Sequence, residues 1–135
     1  MKIHIAYKLS GTDFNLLKEK LQETDKIIRE LGHETFIFIR DIQNWAPNGD
    51  PKIIIKKAFE NVKKCDLILC IIETAEKGEG MLLESGYAKA SGKKIIVASK
   101  PEGRAIMLKA MADRVFEYKT FEEFKERLKD SLKSL

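Results

Sequence analysis

Five strand-like segments alternate with helix-like ones along a chain of 135 residues, which predicts one doubly wound α/β domain on a five-stranded parallel sheet. Two further observations agree. Residues 67–72 and 95–98 are unbroken apolar runs, the pattern of strands buried on both faces. The segments between strands carry apolar residues three and four apart, the stripe of an amphipathic helix. The length suits a single domain over 1–135, large enough for a proper core.

The elements follow in order. Lys2 to Tyr7 is a first strand, and the loop Lys8-Leu9-Ser10-Gly11-Thr12-Asp13 supplies cap residues. Phe14, Leu17, Leu21, Thr24, Ile28 and Leu31 then make one helical stripe, ended by Gly32. His33 to Ile39 reads as a second strand and Arg40 to Asp50 as a loop. Asp50-Pro51 is an N-cap followed by proline at the first helical position, opening a helix to about Lys64. Asp66 to Ile72 is the third strand. A glycine loop and a helix starting near Gly80 follow, ended by Gly92. Small residues Gly86, Ala88 and Ala90 are expected to lie close on the sheet. Lys94 to Ser99 is the fourth strand, Pro101-Glu102-Gly103 a turn, Arg104 to Ala112 a short helix, and Val115 to Tyr118 an edge strand. Thr120-Phe121-Glu122-Glu123 is a capping box for a last helix with Phe121, Phe124, Leu128, Leu132 and Leu135 on one stripe. The sum is a three-layer, Rossmann- or flavodoxin-like domain.

Composition excludes several classes. No apolar run approaches the roughly 20 residues of a membrane span. The apolar part of the N-terminus is too short for a signal peptide, so a cytoplasmic protein is expected. Cys65 and Cys70 are too far apart along one strand to bridge and read as reduced core residues. No clustered His or Cys suggests a metal, and no cofactor is expected. The net charge of +4 is spread over every helix, without an aromatic-interleaved patch, which argues against nucleic acid and for a small anionic ligand or solubility. Neither G-x-G-x-x-G nor G-x-x-x-x-G-K-[ST] occurs, nor a G-x-S-x-G elbow. The region after the first strand offers Asp13 alone, too little for the acidic magnesium site of response regulators. His4 and His33 read as structural, with nothing nearby to pair with them.

The stretch Gly78-Glu79-Gly80-Met81-Leu82-Leu83-Glu84-Ser85-Gly86-Tyr87-Ala88 organises the functional reading. Its glycines permit a tight turn and leave room for a ligand. Glu84 is expected in the first turn or so of the helix, where the dipole favours a carboxylate. Ligands of open α/β sheets bind outside the carboxyl ends of the strands, so Glu84 stands where a nucleophile or base would. The alternative is that it only complements the dipole.

Gly80-x-x-x-Glu84-x-Gly86-Tyr87-Ala88, with Cys65-Asp66-Leu67-Ile68-Leu69-Cys70 before it and Gly92-Lys93-Lys94-Ile95-Ile96 after it, resembles the nucleoside 2-deoxyribosyltransferase family. It is most like the small 2'-deoxynucleoside 5'-phosphate N-hydrolases. Pro101-Glu102-Gly103-Arg104 and Ala110-Met111 resemble a stretch near their C-terminal end. The resemblance implies cleavage of the N-glycosidic bond of a nucleoside or its 5'-monophosphate, by hydrolysis or by transfer to another base, with Glu84 as the nucleophile. It implies ligand contacts at Tyr7, Gly78, Gly80 and Tyr87, although Tyr87 reads equally well as a half-buried packing aromatic. The family's second carboxylate falls at Ala58, so Asp41 or Asp50 is the candidate acid, and a silent nucleotide-binding module is the alternative. Tyr7 stands where the family has Gly or Ser. The hydroxyls that hold a phosphate are missing at Gly78 and near Lys109, leaving Arg104 and Lys109 as candidate charges. Asp66 is read as satisfying backbone donors at the strand start. A homodimer is expected, through apolar residues around Met107, Leu108 and Met111, or else these bury against the sheet.

Overall fold

The computed structural model describes residues 1–9, 11–76 and 78–135. Its strands are β1 (Lys2–Ala6), β2 (Glu34–Ile37), β3 (Leu67–Ile72), β4 (Lys94–Ser99) and β5 (Arg114–Glu117). They form one sheet in the order β2-β1-β3-β4-β5, parallel throughout. This is the flavodoxin-like order, in which winding reverses between β1 and β3 and opens a crevice at their carboxyl ends. The helices are α1 (Phe14–Glu30), α2 (Phe38–Asp41), α3 (Pro51–Lys64), α4 (Glu79–Ala90), α5 (Ile106–Met111) and α6 (Phe121–Lys133). None is long and apolar enough to cross a membrane.

Alternation along the strands divides the core into two layers. Ile3 and Ile5 of β1 join Leu69 and Ile96 beneath α1 and α6, against Leu21, Ile28, Phe124 and Leu128. Ala6, Ile68, Cys70 and Val97 face the other way, against Val62 of α3, Met81 and Ala88 of α4 and Leu108 of α5. Burying a side chain such as Leu128, which is fully covered, is worth about 1.5–3 kcal/mol. Both cysteines are free and buried. Burial pushes the Cys65 thiol up to about 11 and the Cys70 thiol up to about 12.

The caps behave as the sequence implies. Asp13 accepts from the Leu16 N–H at 3.2 Å and opens α1; Ser10, another residue of that loop, lies outside the described residues. Asp50 accepts from the Lys52 N–H at 2.9 Å, with Pro51 at N1 of α3. Asp66 accepts from the Lys2 N–H at 2.8 Å, tying the start of β3 to β1. Thr120 accepts from the Glu123 N–H, while the Glu123 carboxylate returns to the Lys119 N–H rather than to that of Thr120.

Several boundaries and facings differ from the sequence reading. The second strand ends at Ile37, and Phe38 and Ile39 enter α2 instead. The reason is local: Ile37 N–H donates to the Asp41 carboxylate and Ile39 N–H to the Tyr7 hydroxyl, so side chains take the place of further ladder bonds. Helix α4 begins at Glu79, which puts Glu84 in its second turn, where the dipole's effect has faded. Its sheet-facing residues are Met81, Ser85 and Ala88; Gly86 and Ala90 point outward. Helix α5 spans six residues only, and Leu135 is exposed beyond α6.

Candidate functional site

The crevice at the carboxyl ends of β1 and β3 has two lobes that share Tyr7, Lys8, Gly78 and Met81. The larger, of about 450 Å³, is lined by His4, Ala6, Phe38, Gln43, Ile54, Ala58, Glu79, Gly80 and Glu84 among others. The smaller, of about 230 Å³, runs toward α1 and is lined by Thr12, Lys20, Ile71, Glu73 and Thr74 among others. The first has a size and apolar floor suited to a small organic ligand. The second is ringed by charge.

Glu84 lines the larger lobe with its side chain 13 % exposed. Its Oε2 lies 3.1 Å from Nε2 of His4. Among the described residues no hydrogen bond is formed to Oε1. His4 is 1 % exposed and stacks on Phe36, its neighbour across the β1–β2 ladder, with ring centroids 5.2 Å apart. Its Nδ1 is buried without a partner among the described residues. The expectation that nothing pairs with His4 is therefore corrected: the imidazole meets the candidate nucleophile. The cause is register. Ile3 and Ile5 point toward α1 and α6, so His4 points to the α3–α4 side, from which Glu84 descends. His33 pairs with the N-terminal amine, at 2.9 Å.

Tyr7 lines both lobes. Burial, with the nearby Glu84 and Asp41 charges, raises the pKa of its phenol well above the usual range, despite the hydrogen bond from Ile39 N–H. Gly78 is the N-cap of α4 with φ −76°, and a Cβ there would stand 3.6 Å from the Lys8 backbone. Gly80 lies within the helix, with nothing within 4 Å of an added Cβ. Neither uses the left-handed conformation that only glycine takes easily; both leave the wall of the cleft low.

The other sequence candidates are placed elsewhere. Tyr87 stacks on Phe59 of α3, centroids 4.7 Å apart and nearly parallel, and does not line the cleft. Asp50 is occupied as the α3 cap and is exposed. Asp41 forms a two-point ion pair with Arg40 at 2.9 Å and accepts from Ile37 N–H. Burial opposes the charge of Asp41, but these partners win and hold its carboxyl below the usual carboxylate range, the wrong direction for a proton donor at neutral pH. Arg104 is exposed, and Lys109 donates to the Gly103 carbonyl at 3.1 Å; neither lines the lobes. Ala58 lines the larger lobe yet is packed with Phe36, Phe38 and Cys65. Leu108 is buried and Met111 half-buried against the same core layer, whereas Ile106 and Met107 are 80 % and 82 % exposed.

Sequence reasoning missed Lys8, Lys20, Glu73 and Glu79. Glu73, just past β3, gathers Lys20 and Lys100, the latter at 3.7 Å, and accepts from the Tyr118 hydroxyl at 3.2 Å. These groups come from α1 and from the segments after β3, β4 and β5, so no local motif marks them. Glu79 stood inside the organising stretch, in the first turn of α4 and five residues before Glu84. Among the described residues no group of three or more His, Cys, Asp or Glu side chains could hold a metal.

No protein-family model matches the sequence, and no curated protein matches it significantly. Solved structures do match. The CMP N-glycosidase BcmB of Clostridium botulinum superposes with a TM-score of 0.72 at 19 % identity, over 96 % of this chain and 98 % of that one. A 2-deoxyribosyltransferase of Bacillus psychrosaccharolyticus gives 0.68 at 20 %, over 93 % and 90 %. A 3-dehydroquinate dehydratase-like protein of Bifidobacterium longum gives 0.57 at 8 %, over 96 % and 94 %. At these identities the likeness is one of fold, and the fold serves unlike activities.

Proposed function

We propose that the protein cleaves the N-glycosidic bond of a nucleoside or its 5'-monophosphate, as a member of the nucleoside 2-deoxyribosyltransferase family over its whole length, 1–135. The observation that carries this reading is Glu84, lining a cleft at the sheet's switch point with one carboxylate oxygen hydrogen-bonded and the other unpaired among the described residues. The likeness to a CMP N-glycosidase and a 2-deoxyribosyltransferase over nearly the whole chain supports it.

In the first step Glu84 Oε1 bonds to the anomeric carbon as the bond to the base nitrogen breaks, and the base leaves with the electron pair and takes a proton. In the second, water or another base bonds to that carbon, gives up a proton, and releases Glu84. This is the two-step course of a retaining glycosidase. Glu79, the other carboxylate lining the same lobe, is a better candidate for the proton donor than Asp41 or Asp50, which are engaged elsewhere. Lys8 and Lys20, on the smaller lobe, are better placed to meet a phosphate than Arg104 or Lys109. The chain pairs as a homodimer through the exposed Ile106 and Met107.

The test is base release, followed chromatographically over a panel of nucleosides, deoxynucleosides and their monophosphates, with Glu84→Gln as control. A loss of about three orders of magnitude or more in kcat, together with a glycosyl adduct on Glu84 seen by intact mass, is expected. Release by Glu84→Gln at the native rate refutes the nucleophile. Tight binding without release by the native protein favours the silent module.

A further inference from the structure

We propose that His4 is the positioning residue of Glu84, holding one carboxylate oxygen so that the other faces the cleft; this rests on the glycosidase reading above. Imidazole nitrogens differ by which one carries the proton, and the hydrogen bond at one fixes the other. Nε2 lies 3.1 Å from Glu84 Oε2, and Nδ1 is buried with no partner among the described residues. A proton on Nδ1 leaves a donor stranded in the core and turns the Nε2 lone pair onto a carboxylate oxygen. A proton on Nε2 gives a charge-assisted bond and leaves at Nδ1 only an unpaired acceptor, a smaller cost. The geometry therefore favours Nε2–H donating to Glu84.

The ring itself cannot swing away. It is 1 % exposed, on a strand flanked on both sides, and stacked on Phe36 at 25° between planes. A glutamate on the second turn of a helix has several rotamers open to it. One anchored oxygen selects among them and removes from the rate the entropy of finding the attacking pose. The imidazole is too deeply buried to be handed to substrate, so its action runs through the carboxylate.

The test uses the whole protein with two variants. His4→Phe keeps a ring on Phe36 and removes the donor; His4→Gln puts an amide N–H near the place of Nε2. Base release by His4→Phe is expected to fall about 10- to 100-fold in kcat, with KM within about threefold, and His4→Gln to recover kcat to within about threefold of native. Long-range proton–nitrogen NMR of the native protein is expected to show His4 protonated at Nε2, with that resonance moved in Glu84→Ala. Native kcat in a folded His4→Phe overturns the proposal, as does protonation at Nδ1. If the native protein releases no base from any substrate, the glycosidase reading falls, and the NMR signature alone decides the pairing. If both variants fail to fold, that same signature decides it.

Discussion

Restoring a carboxylate at position 58 tests both the register of α3 and the chemistry of the cleft. Ala58 is 2 % exposed, sits with Phe36, Phe38 and Cys65, and lines the same lobe as Glu84. In Ala58→Asp the new carboxyl meets aromatic carbon and a thiol, so a polar group with few partners costs about 1–3 kcal/mol. The entropy of unfolding is about 2.1 cal/mol/K per residue, or about 0.28 kcal/mol/K over this chain, so Tm falls by roughly 4–11 °C. Burial raises the pKa of such a carboxyl above its unfolded value. A raised acid destabilises more as pH climbs through the interval between the two values, so the penalty is larger at pH 8 than at pH 5. The same raised value makes the group a proton donor for a leaving base, and a general acid contributes about 10²–10⁴. Circular dichroism melts at both pH values and base release in parallel give the answer. A variant that melts like native at both pH values has its carboxyl in water, and the placement of Ala58 in the cleft is refuted. A variant that shows the pH-dependent penalty yet no gain in rate refutes position 58 as the place of the acid.

Three further outcomes are expected. A Cβ at Gly103 would stand 2.4 Å from Ser99 Oγ, 2.8 Å from Ile72 Cγ2 and 3.1 Å from the Lys100 carbonyl. Gly103→Ala should therefore lose about 1–3 kcal/mol in urea unfolding, and native stability would show that this turn yields freely. Burial opposes the charge of Asp25, but hydrogen bonds from Thr35, Arg40 and Arg29 outweigh it and lower its pKa, as Arg40 does for Asp41. Stability from such depressed groups is present above the unfolded value near 3.9 and lost as pH falls through the folded ones. The Tm deficit of Arg40→Ala should accordingly be widest at neutral pH and shrink on acidification below about pH 4; a deficit constant down to pH 2.5 would count against this network. Finally, Met107→Glu, at a residue 82 % exposed, should halve the mass in sedimentation and make Tm independent of protein concentration, and a native protein with the mass of one chain removes the dimer.

The sequence by itself determined the architecture. Apolar alternation, the Asp13 and Asp50 caps, the buried runs of β3 and β4 and the turn at Gly32 act within a few residues, so they can be read in one dimension. It also singled out Glu84, because glycines, a helix start and a preceding buried strand are neighbours in the chain. Where the reading missed, the deciding contact was distant. Ending β2 at Ile37 depends partly on the Tyr7 hydroxyl, 32 residues away from the Ile39 N–H it receives. Tyr87 was claimed by Phe59 of another helix, and the charge cluster at Glu73 draws on α1 and the segments after β4 and β5. The largest gap is His4 and Glu84, 80 residues apart. Which face of β1 carries His4 follows from alternation, but that α4 brings Glu84 to that face follows only from the winding reversal between β1 and β3. A partner delivered by topology leaves no trace in local spacing, and only the folded sheet could place an imidazole against that carboxylate.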